Sequence, residues 1–234
     1  MKLIFCFLFS LITYYSFGQT CNCDDDSLLN EIISCDTIHF ENGAELYWNF
    51  NCDSSWLTLL TPTRSKQIIF SLGDGLQELT GRIGYVEFYE YKSTFLVQNN
   101  VISGCCAPPD FYLYDKTTGQ KIKELGRIIY LSEDRKYPII ISITNSSYDT
   151  SKIADLNSLT IFNINTNKEY LISLPNFEIE QALENTEEMY AEFLFEDSIV
   201  ENGILILQYR YRNPKNEEEQ YTRNIQIELK KYGS

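Results

Sequence analysis

The stretch Phe111 to Ile122, "FYLYDKTTGQKI", decides the fold. Four strand-forming residues run into Asp115, a polar Lys-Thr-Thr-Gly segment follows, and a second run opens at Lys121. Aromatic side chains suit a half-buried pleated surface, while Asp, Thr and Gly close turns. The stretch is therefore a hairpin. "LTIFNINTNKEY" (159–170) repeats it, because setting Tyr114 on Phe162 places Asp115 on Asn163 and Thr118 on Thr166. "LTLLTPTRSKQIIF" (57–70), anchored on Leu60, and "QYRYRNPKNEEEQYTRNI" (208–225), anchored on Tyr211, fit the same frame.

Four hairpins at intervals of roughly fifty residues resemble the blades of β-propeller-like secreted proteins. The resemblance lies in spacing and turn type and spans about residues 45–230; no Trp-Asp or Gly-His signature closes a unit. It implies an antiparallel, propeller-like array of four to five blade-like units. A β-sandwich produces similarly short strands and is the alternative architecture. The rest of the chain agrees with an all-β class. "NIQIELK" alternates Ile225, Ile227 and Leu229 with polar residues, and "LILQYRYR" alternates Leu205, Leu207, Tyr209 and Tyr211 with Ile206, Gln208, Arg210 and Arg212. "PIIISI" (138–143) is continuous, as in a strand buried on both faces. Only "NFEIEQALENTEEMY" (176–190) suggests a second helix, after a short one near 26–34 that carries Leu28, Leu29, Ile32 and Ile33 on one face behind the acidic Asp24–Asp26.

Residues 1–18 read as a signal peptide. Lys2 is followed by an apolar run too short to cross a bilayer, and Ser16 and Gly18 are spaced for cleavage before Gln19. A lipid anchor on Cys21 is the weaker alternative. Residues 19–234 then form a single all-β domain, with 19–36 as a disulfide-stapled helical segment, and the product is secreted or periplasmic. Beyond the leader there is no transmembrane segment by sequence.

The chain carries 19 basic against 33 acidic residues, for a net charge of −14. Such a surface repels phosphate backbones, so no nucleic acid is expected as a partner. Six cysteines remain once Cys6 leaves with the leader: Cys21, Cys23, Cys35, Cys52, Cys105 and Cys106. An even number in an exported chain reads as a disulfide framework. A bond between Cys105 and Cys106 themselves is disfavoured, because adjacent Cα atoms are closer than an unstrained disulfide spans. Each is expected to reach a separate partner, Cys52 being the first choice for one of them.

Catalytic chemistry finds little support. His39 is the single histidine, which leaves no multi-histidine metal site and only one candidate base for a triad; it is expected to be a strand residue facing solvent or a hydrogen bond. The glycines of "LGDGLQELTGRIG" (72–84) lack phosphate-loop spacing and read as turns or bulges. No metal and no cofactor are expected. Paired carboxylates are the remaining enzymatic option, with Glu87 and Glu90 in "YVEFYEY" and Glu192 and Glu196 in "AEFLFED" as candidates, the last two expected on a polar face opposite Phe193 and Phe195. Trp48 and Trp56 flank Cys52 and are the candidates for stacking on a sugar, against a core role that tryptophan fills more often.

These readings converge on an exported, non-catalytic binding protein whose ligand is a basic protein or a glycan. The alternatives are a carboxylate-dependent glycan hydrolase and a thiol redox or metal-binding protein.

Overall fold

A computed structural model describes residues 31–100, 107–132, 137–146, 155–174, 189–213 and 216–232. The described chain is all-β, built of three antiparallel sheets. The first sheet holds β1 (Ile38–His39), β2 (Glu45–Phe50), β3 (Ser55–Leu60) and β4 (Lys66–Leu72) in sequence order. The second has seven strands: β5 (Gly84–Glu90), β6 (Thr94–Asn100), β7 (Asp110–Asp115), β8 (Lys121–Leu131), β9 (Ile139–Thr144), β10 (Asp155–Asn163) and β11 (Lys168–Ser173). The third holds β12 (Phe195–Glu201), β13 (Ile204–Asn213) and β14 (Asn216–Glu228). Every neighbour in a sheet is a neighbour in sequence, so the whole is a succession of meanders.

β8 divides the seven-stranded sheet. Its first part, through Arg127, pairs with β7, and its last part, from Ile128, pairs with β9. Gly126 sits at the junction with φ +68°, a left-handed conformation that costs glycine little, and register shifts flank it on both pairings. The strand thus bends between two four-stranded halves, β5 to β8 and β8 to β11.

Three cores lie in series between these layers. Leu46, Trp48, Phe50, Leu57 and Leu59 of the first sheet cluster with Tyr85, Phe95, Val97 and Tyr114 of the second. Leu96, Phe111, Leu113 and Leu125 cluster across the β8 bend with Ile140, Phe162 and Ile164. Ile139, Ile141, Ile143, Leu159 and Ile161 cluster with Leu205, Leu207, Tyr209 and Ile227 of the third sheet. Each fully buried side chain of this size contributes about 1.5–3 kcal/mol relative to exposure. β6 and β9 supply residues to two cores each, which explains the apolar run at 138–143, interrupted only by Ser142: Ile139 to Ile143 are all buried. The alternation read in "NIQIELK" holds as well, with Ile227 and Leu229 buried and Gln226, Glu228 and Lys230 exposed.

The repeated hairpin is present in the expected places. Asp115 Oδ1 accepts from the backbone N–H of Thr117 (2.8 Å) and Thr118 (2.7 Å), and Asn163 Oδ1 accepts from Asn165 (3.0 Å) and Thr166 (2.9 Å). In the first sheet Thr61 takes the equivalent position, its hydroxyl accepting from Ser65 N–H at 3.1 Å. Gly119, Asn167 and Arg64 close the three turns with positive φ. The glycines of 72–84 make turns around a short 3-10 segment, Gln77–Leu79, with Gly75 and Gly84 at positive φ.

Of the expected N-terminal helix, Glu31 and Ile32 are helical and residues 26–30 lie outside the described residues. Most of the suggested second helix, and residues 1–18, also lie outside them. No described helix is long and apolar enough to cross a membrane.

Candidate functional site

A cavity of about 430 Å³ opens between β8 and the strands β9, β10 and β11. One wall is the face of β9, β10 and β11 that looks toward β5–β8. Register sets its composition row by row. Ile140, Phe162 and Glu169 lie side by side on the three strands, and the next row is Ser142, Thr160 and Leu171. Ile140 and Phe162 close the core where the halves touch; beyond them the face becomes hydroxyl-bearing. Thr144 and Thr160 share a hydroxyl hydrogen bond of 2.9 Å. On the opposite face of the same strands Ile141, Ile143, Leu159 and Ile161 are wholly apolar, so the polar row is particular to the cleft.

The other wall is β8, with Lys123, Glu124, Leu125 and Gly126. Lys123 reaches across to Glu169 at 2.7 Å and lies 5.5 Å above the Phe162 ring. Glu124 is held by Lys121 on its own strand. Both carboxylates of the cleft are therefore committed to a lysine. Behind its upper end, Arg127 stacks at 4.6 Å on the Tyr190 ring and Ser146 donates to Glu192.

A second cavity, about 310 Å³, lies at the turn end of the sheets, where Glu41, Glu90, Tyr91, Lys92, Pro138 and Asn165 meet. Its anchor is Lys116, which has no exposed surface and donates to Glu90 Oε1 at 2.6 Å; the Glu41 N–H donates to the same oxygen at 2.9 Å. Lys116 also lies 5.8 Å from the Phe40 ring. Burial raises the Tyr91 hydroxyl above its ordinary range.

The residues singled out from sequence fall in different places. His39 is exposed on β1. Glu87 accepts from the Tyr89 hydroxyl at 2.7 Å and Glu90 from Lys116, so these two acids serve separate contacts. Glu192 is buried at 7 % exposure while Phe193 is exposed, the reverse of the expected polar face: the segment Ala191–Leu194 is a 3-10 turn, in which period two does not apply. Trp48 and Trp56 are not brought together. The β2–β3 register pairs Trp48 with Leu57 and Asn49 with Trp56, which puts the two indoles on opposite faces. Trp48 is buried edge-on to Phe70, and Trp56 is half-buried.

Cys35 and Cys52 are both disulfide-bonded, and Cys21, Cys23, Cys105 and Cys106 lie outside the described residues. Among the described residues no group of three His, Cys, Asp or Glu converges to hold a metal ion.

The cleft residues themselves, Lys123, Ser142, Thr144, Thr160 and Glu169, were not legible as a site. The available signal was the polar interruption of two apolar strands, at Ser142 in "PIIISIT" and Thr160 in "SLTIF", at positions that register places opposite one another. No protein-family model matches this chain, and no curated protein matches it.

Proposed function

We propose that this chain is an exported, non-catalytic binding protein that recognises a glycan. The observation that carries the reading is the composition of the large cleft: a hydroxyl-lined wall faces a rim whose two carboxylates are each held by a lysine. Glycoside hydrolysis needs a proton-donating acid facing a second carboxylate across the scissile bond. An acid already engaged by lysine is spoken for, whereas hydroxyls that both donate and accept suit reversible recognition. The compartment rests on residues 1–18 and on the even set of six cysteines, which belong to an oxidising environment.

The finer architecture belongs to the same proposal. The meanders β1–β4, β5 to the bend of β8, the end of β8 to β11, and β12–β14 act as four blade-like units of a propeller-like array, supported by equivalent turns at Thr61, Asp115 and Asn163. Loops and clefts between such units are where binding surfaces form.

The test is retention on immobilised neutral oligosaccharides and on immobilised basic proteins, each at low and high salt. Retention on a neutral oligosaccharide that is unaffected by salt supports the reading. Capture only by basic proteins, at association rates that fall as salt rises, replaces the glycan with a cationic protein as partner.

A further inference from the structure

We infer that the cleft between β8 and the β9–β11 face is a subsite for one neutral, polyhydroxylated ring, with Ser142, Thr144 and Thr160 reading its hydroxyls and the Lys123–Glu169 pair closing over it. The inference rests on the binding reading above and assigns it a place and a ligand class.

Three observations select the ligand. First, the volume of about 430 Å³ falls within the range of about 300–1,000 Å³ typical of small-molecule sites. Second, every charge at the rim has an internal partner, Lys123 with Glu169 and Glu124 with Lys121. A charged ligand meets a lysine and a glutamate that are already paired, so attraction to one is offset by repulsion from the other; a neutral hydroxyl accepts from Lys123 or donates to Glu169 while the pair persists. Third, the wall carries unspent hydroxyl capacity. Ser142 lines the cleft beside Thr160 and is 8 % exposed. The Thr144–Thr160 bond uses one proton and one lone pair of a set that holds two protons and four lone pairs. Sugar hydroxyls are both donors and acceptors and match such a set, where an apolar ligand would strand it. Leu171, 65 % exposed beside Thr160, supplies an apolar edge for the C–H face of a ring.

The bond between Thr144 and Thr160 also makes the inference testable without damaging the fold. Replacing both partners by the isosteric valine removes two hydroxyls and leaves neither one unsatisfied, a change that is close to neutral for stability. The experiment compares the full-length exported protein with its T144V/T160V and S142A variants for binding to glucose-, mannose- and N-acetylglucosamine-containing oligosaccharides by saturation-transfer NMR, with thermal melts alongside. The expected result is that the parent binds at least one of these sugars and that T144V/T160V binds it tenfold or more weakly at an unchanged melting temperature. Equal binding by parent and both variants places the sugar elsewhere and overturns the subsite while leaving a glycan-binding protein. Absence of sugar binding by the parent, with capture of a basic protein, overturns the ligand class while leaving a binding protein. Turnover of the sugar overturns the non-catalytic reading itself.

Discussion

Lys116 and Glu90 form an ion pair of 2.6 Å in which the lysine has no exposed surface and the glutamate remains partly open to the second cavity. A buried ammonium held by one carboxylate is a stringent arrangement. Glu90→Gln keeps an acceptor but removes the countercharge, and about 3–5 kcal/mol is the usual cost of leaving such a charge uncompensated. Lys116→Met removes the charge and keeps the stem, so it costs less than Glu90→Gln. Urea denaturation of both single variants and the double variant gives the coupling, and additive single effects would contradict a working pair.

Alkaline stability follows from the tyrosines between the first two sheets. Tyr85 and Tyr114 share a hydroxyl hydrogen bond of 2.7 Å in the core. Burial raises the Tyr85 and Tyr114 hydroxyls above the ordinary value of 10.0 and pushes Tyr112 up to about 12. The folded state therefore holds protons that the unfolded chain releases above about pH 10. Stability is independent of these groups below that pH and falls as pH rises toward and past 12, with a slope of up to about 1.4 kcal/mol per pH unit for each tyrosine. Denaturation series at alkaline pH check the slope, and a stability unchanged between pH 10 and 12 would contradict it.

The two equivalent turns differ in one testable respect. Asp115 and Asn163 both cap their turns, but Asn163 is fully buried and its amide also donates to the Tyr232 carbonyl at 2.6 Å, tying the C-terminal segment to β10 of the second sheet. Asp115→Asn preserves the acceptor and costs under about 1 kcal/mol. Asn163→Asp preserves the turn acceptor, loses the donor and buries a carboxylate against a carbonyl, for a loss of about 2–4 kcal/mol. Thermal melts of the two conservative variants rank them, and equal losses would refute the distinction.

How far the sequence carried depends on whether a feature is local. The hairpins at Asp115 and Asn163 were readable because turn chemistry is written in adjacent residues, and the burial of Ile139 to Ile143 was readable because no polar residue interrupts that run except Ser142. Whether Trp48 and Trp56 share a face was not legible for a physical reason: which face each indole takes depends on the parity of the β2–β3 register, fixed by the turn at Asn51, whose side chain accepts from Asp53 N–H and Ser54 N–H. Lys116 looks like any polar turn residue, and its burial arises from Phe40 and Glu90, both distant in sequence. The cleft has the same origin, since Lys123 on β8 and Glu169 on β11 are distant in sequence and meet only in the folded sheet.

Export predicts a specific covalent state. Material recovered from outside the producing cell should begin at Gln19 and take up no alkylating agent before reduction, with six sites appearing afterwards. Peptide maps should find neither Cys35 nor Cys52 as a free thiol. Intact mass before and after reduction reads both features; a free Cys105 or Cys106 would shift attention to thiol chemistry in that loop.

Recognition without turnover is the central claim, and a single time course tests it most directly. The full-length protein is mixed with the neutral oligosaccharide panel, saturation transfer is recorded at the start, and anomeric resonances are followed through a long incubation. The account predicts saturation transfer to at least one sugar with an unchanged anomeric spectrum. New anomeric resonances, marking cleaved glycosidic bonds, or the absence of transfer to every sugar would contradict it.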